Sequence, residues 1–358
     1  MPTRKLAVAV GVVSLAALSF ALSDGGAQAQ VAAGAATDQA GWKATRTPWG
    51  DPDLQGIWTS GYIDTPMERP DKYAGREFLT EEEAKAEEKR MADRQDHSTG
   101  GPLSTAAREG DTGAYNTVWS GRGREVIRTR RTSLVVDPPD GKIPWKPDVR
   151  ERATTETRQL RTGVASAVKE DNDRGGDGPE DRPNDRCRGL TLPHVYGNAE
   201  AGGAIQRIVQ SAGLLSFYYE YGPHGGAFRT IPIGAKPHLP PQVRQWLGDP
   251  RGRWEGDTLV VDTTGFTNQT SYQGSGENLH LVERFTRTAP DLLMYRATIE
   301  DATVFTRPWT IEVPFTKMDE KANQIFETAC YEGNYAMTGI LAGARALEKA
   351  PRRDQKSR

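Results

Sequence analysis

From Arg207 to Tyr331 the chain repeats one pattern: a short run of alternating apolar and polar residues, then a turn built from Gly, Pro, Asp or Asn. Alternation with a period of two places successive side chains on opposite faces of a strand. The segments Arg207–Tyr219, Phe228–Ile233, Thr258–Thr264, Leu279–Arg287, Leu292–Glu300, Pro308–Lys317 and Gln324–Tyr331 therefore read as strands. "APD" at Ala289–Asp291 and "MDEKAN" at Met318–Asn323 are short enough to join antiparallel neighbours. The expectation is a mainly β fold, an antiparallel meander closed as a barrel or folded as a sandwich, with peripheral helices and long loops.

The parity of the late strands separates two faces. Leu279, Leu281, Phe285, Leu293, Tyr295, Ala297, Ile299, Trp309, Ile311, Val313 and Phe315 fall on one side and form the expected core. His280, Arg284, Arg296, Glu300 and Glu312 fall on the other, with alternating signs suited to cross-strand pairs. Glu283 is the one charge in register with the apolar side. A carboxylate placed there either acts as a proton carrier tuned by burial or pairs with an arginine such as Arg229.

The first segment stands apart. Arg4 and Lys5 precede the apolar run Leu6–Leu22, and "AQA" at Ala27–Ala29 supplies the small residues of a cleavage site. Residues 1–29 read as a cleaved signal peptide, so the expected location is the periplasm or the exterior, with no membrane anchor after cleavage. Residues 30–47 read as a flexible lead-in, 48–350 as a single mainly-β domain, and 351–358 as a disordered tail. With 46 Lys and Arg against 48 Asp and Glu, the charge balance offers no general attraction for nucleic acid. The only cysteines are Cys187 and Cys330, an expected disulfide in an oxidising compartment. It would close a loop of about 140 residues, stabilising by roughly 4–5 kcal/mol on the chain-entropy account.

The N-terminal half is less regular. Thr80–Gln95 reads as a polar surface helix, with Thr80 and Glu83 forming a capping box. Glu125–Val136 reads as a strand stopped by "DPPDG" at Asp137–Gly141.

The familiar chemical signatures are missing: no G-x-S-x-G elbow, P-loop, H-E-x-x-H helix or zinc-spaced Cys/His cluster occurs. No cofactor is expected, and no metal site is assigned. The candidate catalytic residues are Glu283, His280 and His224. His224 lies in "YGPHGGAFR" (Tyr221–Arg229), where glycines can present an imidazole at a barrel mouth. His280 points away from Glu283 and needs a strand end to join it. Arg229 and Arg284 are candidates to hold an oxyanion or carboxylate, Glu277 and Asn278 to shape a rim, and Tyr272 and Trp309 to line a pocket.

"TPWGDPDLQGIW" (Thr47–Trp58), "PRGRWEGDTLVVDTTGF" (Pro250–Phe266), "GSGENLHLVERFTR" (Gly274–Arg287) and "CYEGNY" (Cys330–Tyr335) together resemble a largely uncharacterised family of exported bacterial proteins. That resemblance implies export and no particular activity. The triplet "GIW" at Gly56–Trp58 is similar to the one that opens lipocalin-like barrels. Three functions stay open: general acid/base chemistry on a small organic molecule (a hydratase, lyase or isomerase), non-catalytic binding of a hydrophobic small molecule, or a structural or assembly role in the cell envelope.

Overall fold

The computed structural model describes residues 42–63, 65–98, 125–147, 149–150, 191–195, 205–222, 225–234, 236–268, 272–322 and 325, with five single positions between 338 and 349. All lie in the unit Gly34–Arg358. The architecture is mainly β. The strands are β1 (Gly56–Thr59), β2 (Val135–Asp137), β3 (Ile205–Ser211), β4 (Leu214–Gly222), β5 (Gly225–Pro232), β6 (Asp249–Glu255), β7 (Thr258–Thr264), β8 (His280–Ala289), β9 (Leu292–Glu300) and β10 (Trp309–Lys317). They form one antiparallel sheet in the order β5-β4-β3-β1-β10-β9-β8-β7-β6, with β2 added beside β10.

The two ends of that sheet curl back until they meet. The residue following β5, Ile233, forms a parallel bridge with Gly252 of β6, and Gly234 N–H donates to Gly252 O at 2.9 Å. The sheet is thus nearly closed into a barrel, and among the described residues one bridge rather than a full ladder holds the seam. Gly252 permits the approach: a Cβ there would run into Ile233 Cδ1 and lie 3.0 Å from Ile231 Cγ2.

Every residue assigned to the core by parity is buried, from Leu279 through Phe315. The strand bounds differ from expectation in three places. Arg207–Tyr219 is not one strand but the hairpin β3–β4, because Gly213 takes φ +74° and turns the chain. Asp249–Glu255 is a strand although it contains Pro250 and Gly252, residues that an edge strand tolerates. Only the end of Glu125–Val136 forms a strand, β2, with a single antiparallel bridge from Arg131 to Phe78 before it. The chain turns at Arg128–Thr129, and Arg130 sits at φ 54°. Val126, Ile127 and Leu134 still enter the core, while isolated backbone bonds such as Leu79 N–H to Arg130 O at 2.8 Å replace a ladder. Of the last expected strand, residues 324 and 326–331 lie outside the described residues.

Helix α1 (Glu81–Ser98) begins as its sequence requires. Glu83 N–H donates to Thr80 Oγ1 at 3.2 Å and Thr80 N–H donates to Glu83 Oε2 at 2.9 Å, the reciprocal capping box. Among the described residues no helix is long and apolar enough to cross a membrane.

Candidate functional site

Register brings the interior charges together. Glu283 on β8 is opposite Val261 of β7 and Ala297 of β9, facing inward. Arg229 is opposite Phe217 on β4, also inward, and the near-closure of the sheet carries β5 toward β7 and β8. Arg229 Nη2 donates to Glu283 Oε2 at 2.5 Å and to Thr263 Oγ1 at 2.8 Å. Tyr295 Oη donates to Glu283 Oε1 at 2.9 Å. Both partners of the ion pair are almost fully buried, at 3% and 1% exposure.

The pair sits in an aromatic shell. Phe217 lies 5.1 Å from Phe285, Phe285 4.8 Å from Tyr295, and Tyr295 5.6 Å from Phe315, centroid to centroid. Burial opposes the Arg229 charge, but Glu283 beside it more than compensates and holds the guanidinium above its usual range. Burial pushes the Tyr219 hydroxyl up to about 12 and that of Tyr295 well above the ordinary phenol, so both stay protonated. The interior cluster therefore carries one positive and one negative charge.

Its hydrogen bonding is lopsided. Both Glu283 oxygens accept a bond, whereas Arg229 Nε and Nη1 are buried with no hydrogen-bond partner among the described residues. The Tyr219 hydroxyl comes within side-chain hydrogen-bond range of the guanidinium, but neither Nε nor Nη1 has a partner in bonding geometry among the described residues. Gln206 Nε2 and Arg287 Nε, on inward positions of β3 and β8, share this condition, as do Trp309 Nε1 and the Tyr272 hydroxyl. Their rings stack at 6.3 Å, 14° from parallel. Trp309 is opposite Ile299, Ile299 opposite Leu281, and Leu281 opposite Thr263, so Trp309 belongs to the same inward row as the threonine that Arg229 binds.

His280 does not join Glu283. It lies on the outer face, with Nε2 3.1 Å from Asp262 Oδ2 and Nδ1 3.0 Å from Glu300 Oε2. His238 continues the chain, with Nε2 3.0 Å from Asp262 Oδ1 and Nδ1 3.1 Å from Asp249 Oδ2. Arg251 Nη1 closes it by donating to Asp249 Oδ1 at 2.6 Å. Carboxylate oxygens only accept, so an imidazole facing two of them is best served by two N–H bonds. For His280 burial works against the proton, but the bonds to Asp262 and Glu300 together outweigh it and its pKa is raised. Among the described residues no three ligands converge as a metal site.

The other candidates scatter. Arg284 is on the outer face and donates to Glu255 Oε2 at 2.8 Å. Glu277 and Asn278 are exposed turn residues, Glu277 offering its backbone carbonyl to Arg244 at 2.6 Å. His224, Cys187 and Cys330 lie outside the described residues. Thr263, Tyr295 and Asp262 are the participants that sequence reasoning misses as site residues. Tyr295 and Thr263 share the inward parity of Glu283, and that signal is readable in the sequence.

No family model matches the chain, and no curated protein matches it. The resemblance to exported bacterial proteins thus rests on the motifs alone. Among solved structures, the chain is similar to a mutant of the fluorescent protein UnaG at 13% identity and a TM-score of 0.21, over 33% of this chain and 77% of that one.

Proposed function

We propose that this protein is an exported, non-catalytic barrel that binds a small organic molecule in its interior, with Arg229 as the polar anchor. One observation carries the reading: Arg229 presents buried Nε and Nη1 donors that no group among the described residues satisfies. Leaving a donor buried and unbonded costs about 1–3 kcal/mol, and a ligand acceptor recovers that cost. The aromatic shell around it suits a flat or apolar body. Export is supported by the basic, apolar and small-residue order of residues 1–29.

Acid/base catalysis by Glu283 is the weaker reading. Its oxygens are committed to Arg229 and Tyr295, and a proton carrier needs a free oxygen within reach of its substrate. The reading is tested with the protein from Gln30 onward, dialysed against a pool of small organic compounds and followed by mass spectrometry. Compounds retained unchanged by wild type and lost by Arg229→Lys, which keeps the charge but not the guanidinium donors, are the expected result. A compound chemically converted, or none retained, overturns it.

A further inference from the structure

The binding reading leaves open what the ligand presents to Arg229, and the interior narrows it. An arginine inside a barrel is commonly matched to an anion. Here the positive charge is already balanced by Glu283 at 2.5 Å. Among the described residues no lysine or other arginine is bonded to or stacked on Phe217, Tyr219, Phe285 or Tyr295, and the one further titratable ring against that shell is His194, edge-on to Tyr219 at 4.6 Å. The other buried arginines are engaged elsewhere. Arg69 is bonded to Thr132 and Pro139, and Arg287, inward at the far end of β8, to Thr45, Asp53 and Pro290 through Nη1 and Nη2, its Nε remaining unpartnered among the described residues. A carboxylate bound beside Arg229 would add a buried charge that the Arg229–Glu283 pair does not compensate, which proteins avoid.

The unmatched interior groups also share one character. Arg229 Nε and Nη1, Gln206 Nε2, Arg287 Nε and Trp309 Nε1 can only donate, and the Tyr272 hydroxyl can donate. Of the guanidinium nitrogens, Nη2 is used by Glu283 and Thr263, while Nε and Nη1 have no partner in bonding geometry among the described residues, with the Tyr219 hydroxyl nearby. The interior offers donors and asks for acceptors.

Resting on the binding reading above, we infer that the ligand is an uncharged, acceptor-bearing molecule, a ketone, quinone, lactone or ester on an aromatic or otherwise flat skeleton, whose carbonyl oxygen takes the open N–H bonds of Arg229. Ligands with two separated acceptors reach Trp309 or Tyr272 as well. Glu283 is then a positioning residue: it neutralises and orients the guanidinium and does not touch the ligand.

The test uses matched triplets on one-, two- and three-ring aromatic skeletons, each a methyl ketone, a carboxylic acid and an isopropenyl hydrocarbon of the same shape. Affinities are measured calorimetrically at pH 8 with the protein from Gln30 onward. The ketones are expected to bind best, with the acid and the hydrocarbon each weaker by on the order of 10-fold or more. Any acid that does bind takes up about one proton, read from calorimetry in two buffers of different ionisation enthalpy. In Glu283→Gln the order of ketone and acid reverses. That variant removes half of a buried pair and can fail to fold, so the proton count on wild type stands as the independent readout. Acids binding tightest without proton uptake overturn the uncharged-ligand inference and leave the binding reading standing. Equal affinity for ketone and hydrocarbon overturns the role of the open donors in the same way. If no triplet member binds, both the inference and the reading beneath it fall.

Discussion

Arg229 and Glu283 meet at 2.5 Å inside the barrel although 54 residues separate them and their strands lie in opposite halves of the sheet order. The pair spans the seam between β5 and the β6–β7–β8 edge, where backbone pairing is thinnest. It therefore fastens a closure that hydrogen-bond ladders leave incomplete.

A double-mutant cycle measures that fastening. Arg229→Met or Glu283→Leu leaves a buried charge without its partner and is expected to cost about 3–5 kcal/mol. The double variant removes both charges and is expected to cost less than either single change. Urea unfolding of the four proteins checks this, and additive costs would show that the two side chains do not act as a unit.

His280 makes stability depend on pH. Its folded pKa is raised, after the opposing effect of burial, by Asp262 and Glu300. A raised folded value means the folded state binds the proton more tightly. The contribution is then fully present below the ordinary imidazole value of about 6.5 and fades as pH rises through the higher folded value. The urea midpoint of wild type relative to His280→Asn should therefore be highest at about pH 5.5 and shrink toward about pH 8.5. A difference independent of pH would place the histidine's role in packing alone.

Gly252 holds the seam by having no side chain. Gly252→Ala places a methyl against Ile233 and Ile231, and overpacking of this kind costs about 1–3 kcal/mol. Gly256→Ala makes a useful comparison, since a Cβ there meets nothing within 4 Å, although Gly256 takes φ +62° and carries its own backbone penalty. Hydrogen exchange at Gly234, whose N–H bonds to Gly252 O, should accelerate in Gly252→Ala and stay near the wild-type rate in Gly256→Ala.

Parity makes the inner wall legible. Leu281, Glu283, Phe285, Tyr295 and Trp309 face inward as a period of two requires, and Arg229 is the partner that the sequence offers to Glu283. Thr258–Thr264 and Leu292–Glu300 are strands with the bounds the sequence suggests. β6 is hidden because Pro250, Gly252 and two arginines mask the alternation on an edge strand. The outer chain through His238 and Asp262 depends on where the loop after β5 folds back, which no local periodicity records. Nor does a sequence reveal which N–H bonds of Arg229 go unmatched, since that follows from the angle at which two distant strands approach.

β1 is the first strand made and β10 the last of the ten, yet they are neighbours: Trp58 is opposite Lys317 and Thr59 opposite Thr316. A chain that appears N-terminus first can form the hairpins β3–β4, β4–β5 and β6–β7 in turn, but it has no continuous sheet until β10 arrives to join β9 to β1. Arg229 is synthesised well before the wall that dries its surroundings. The buried pair can be completed only once that wall is in place.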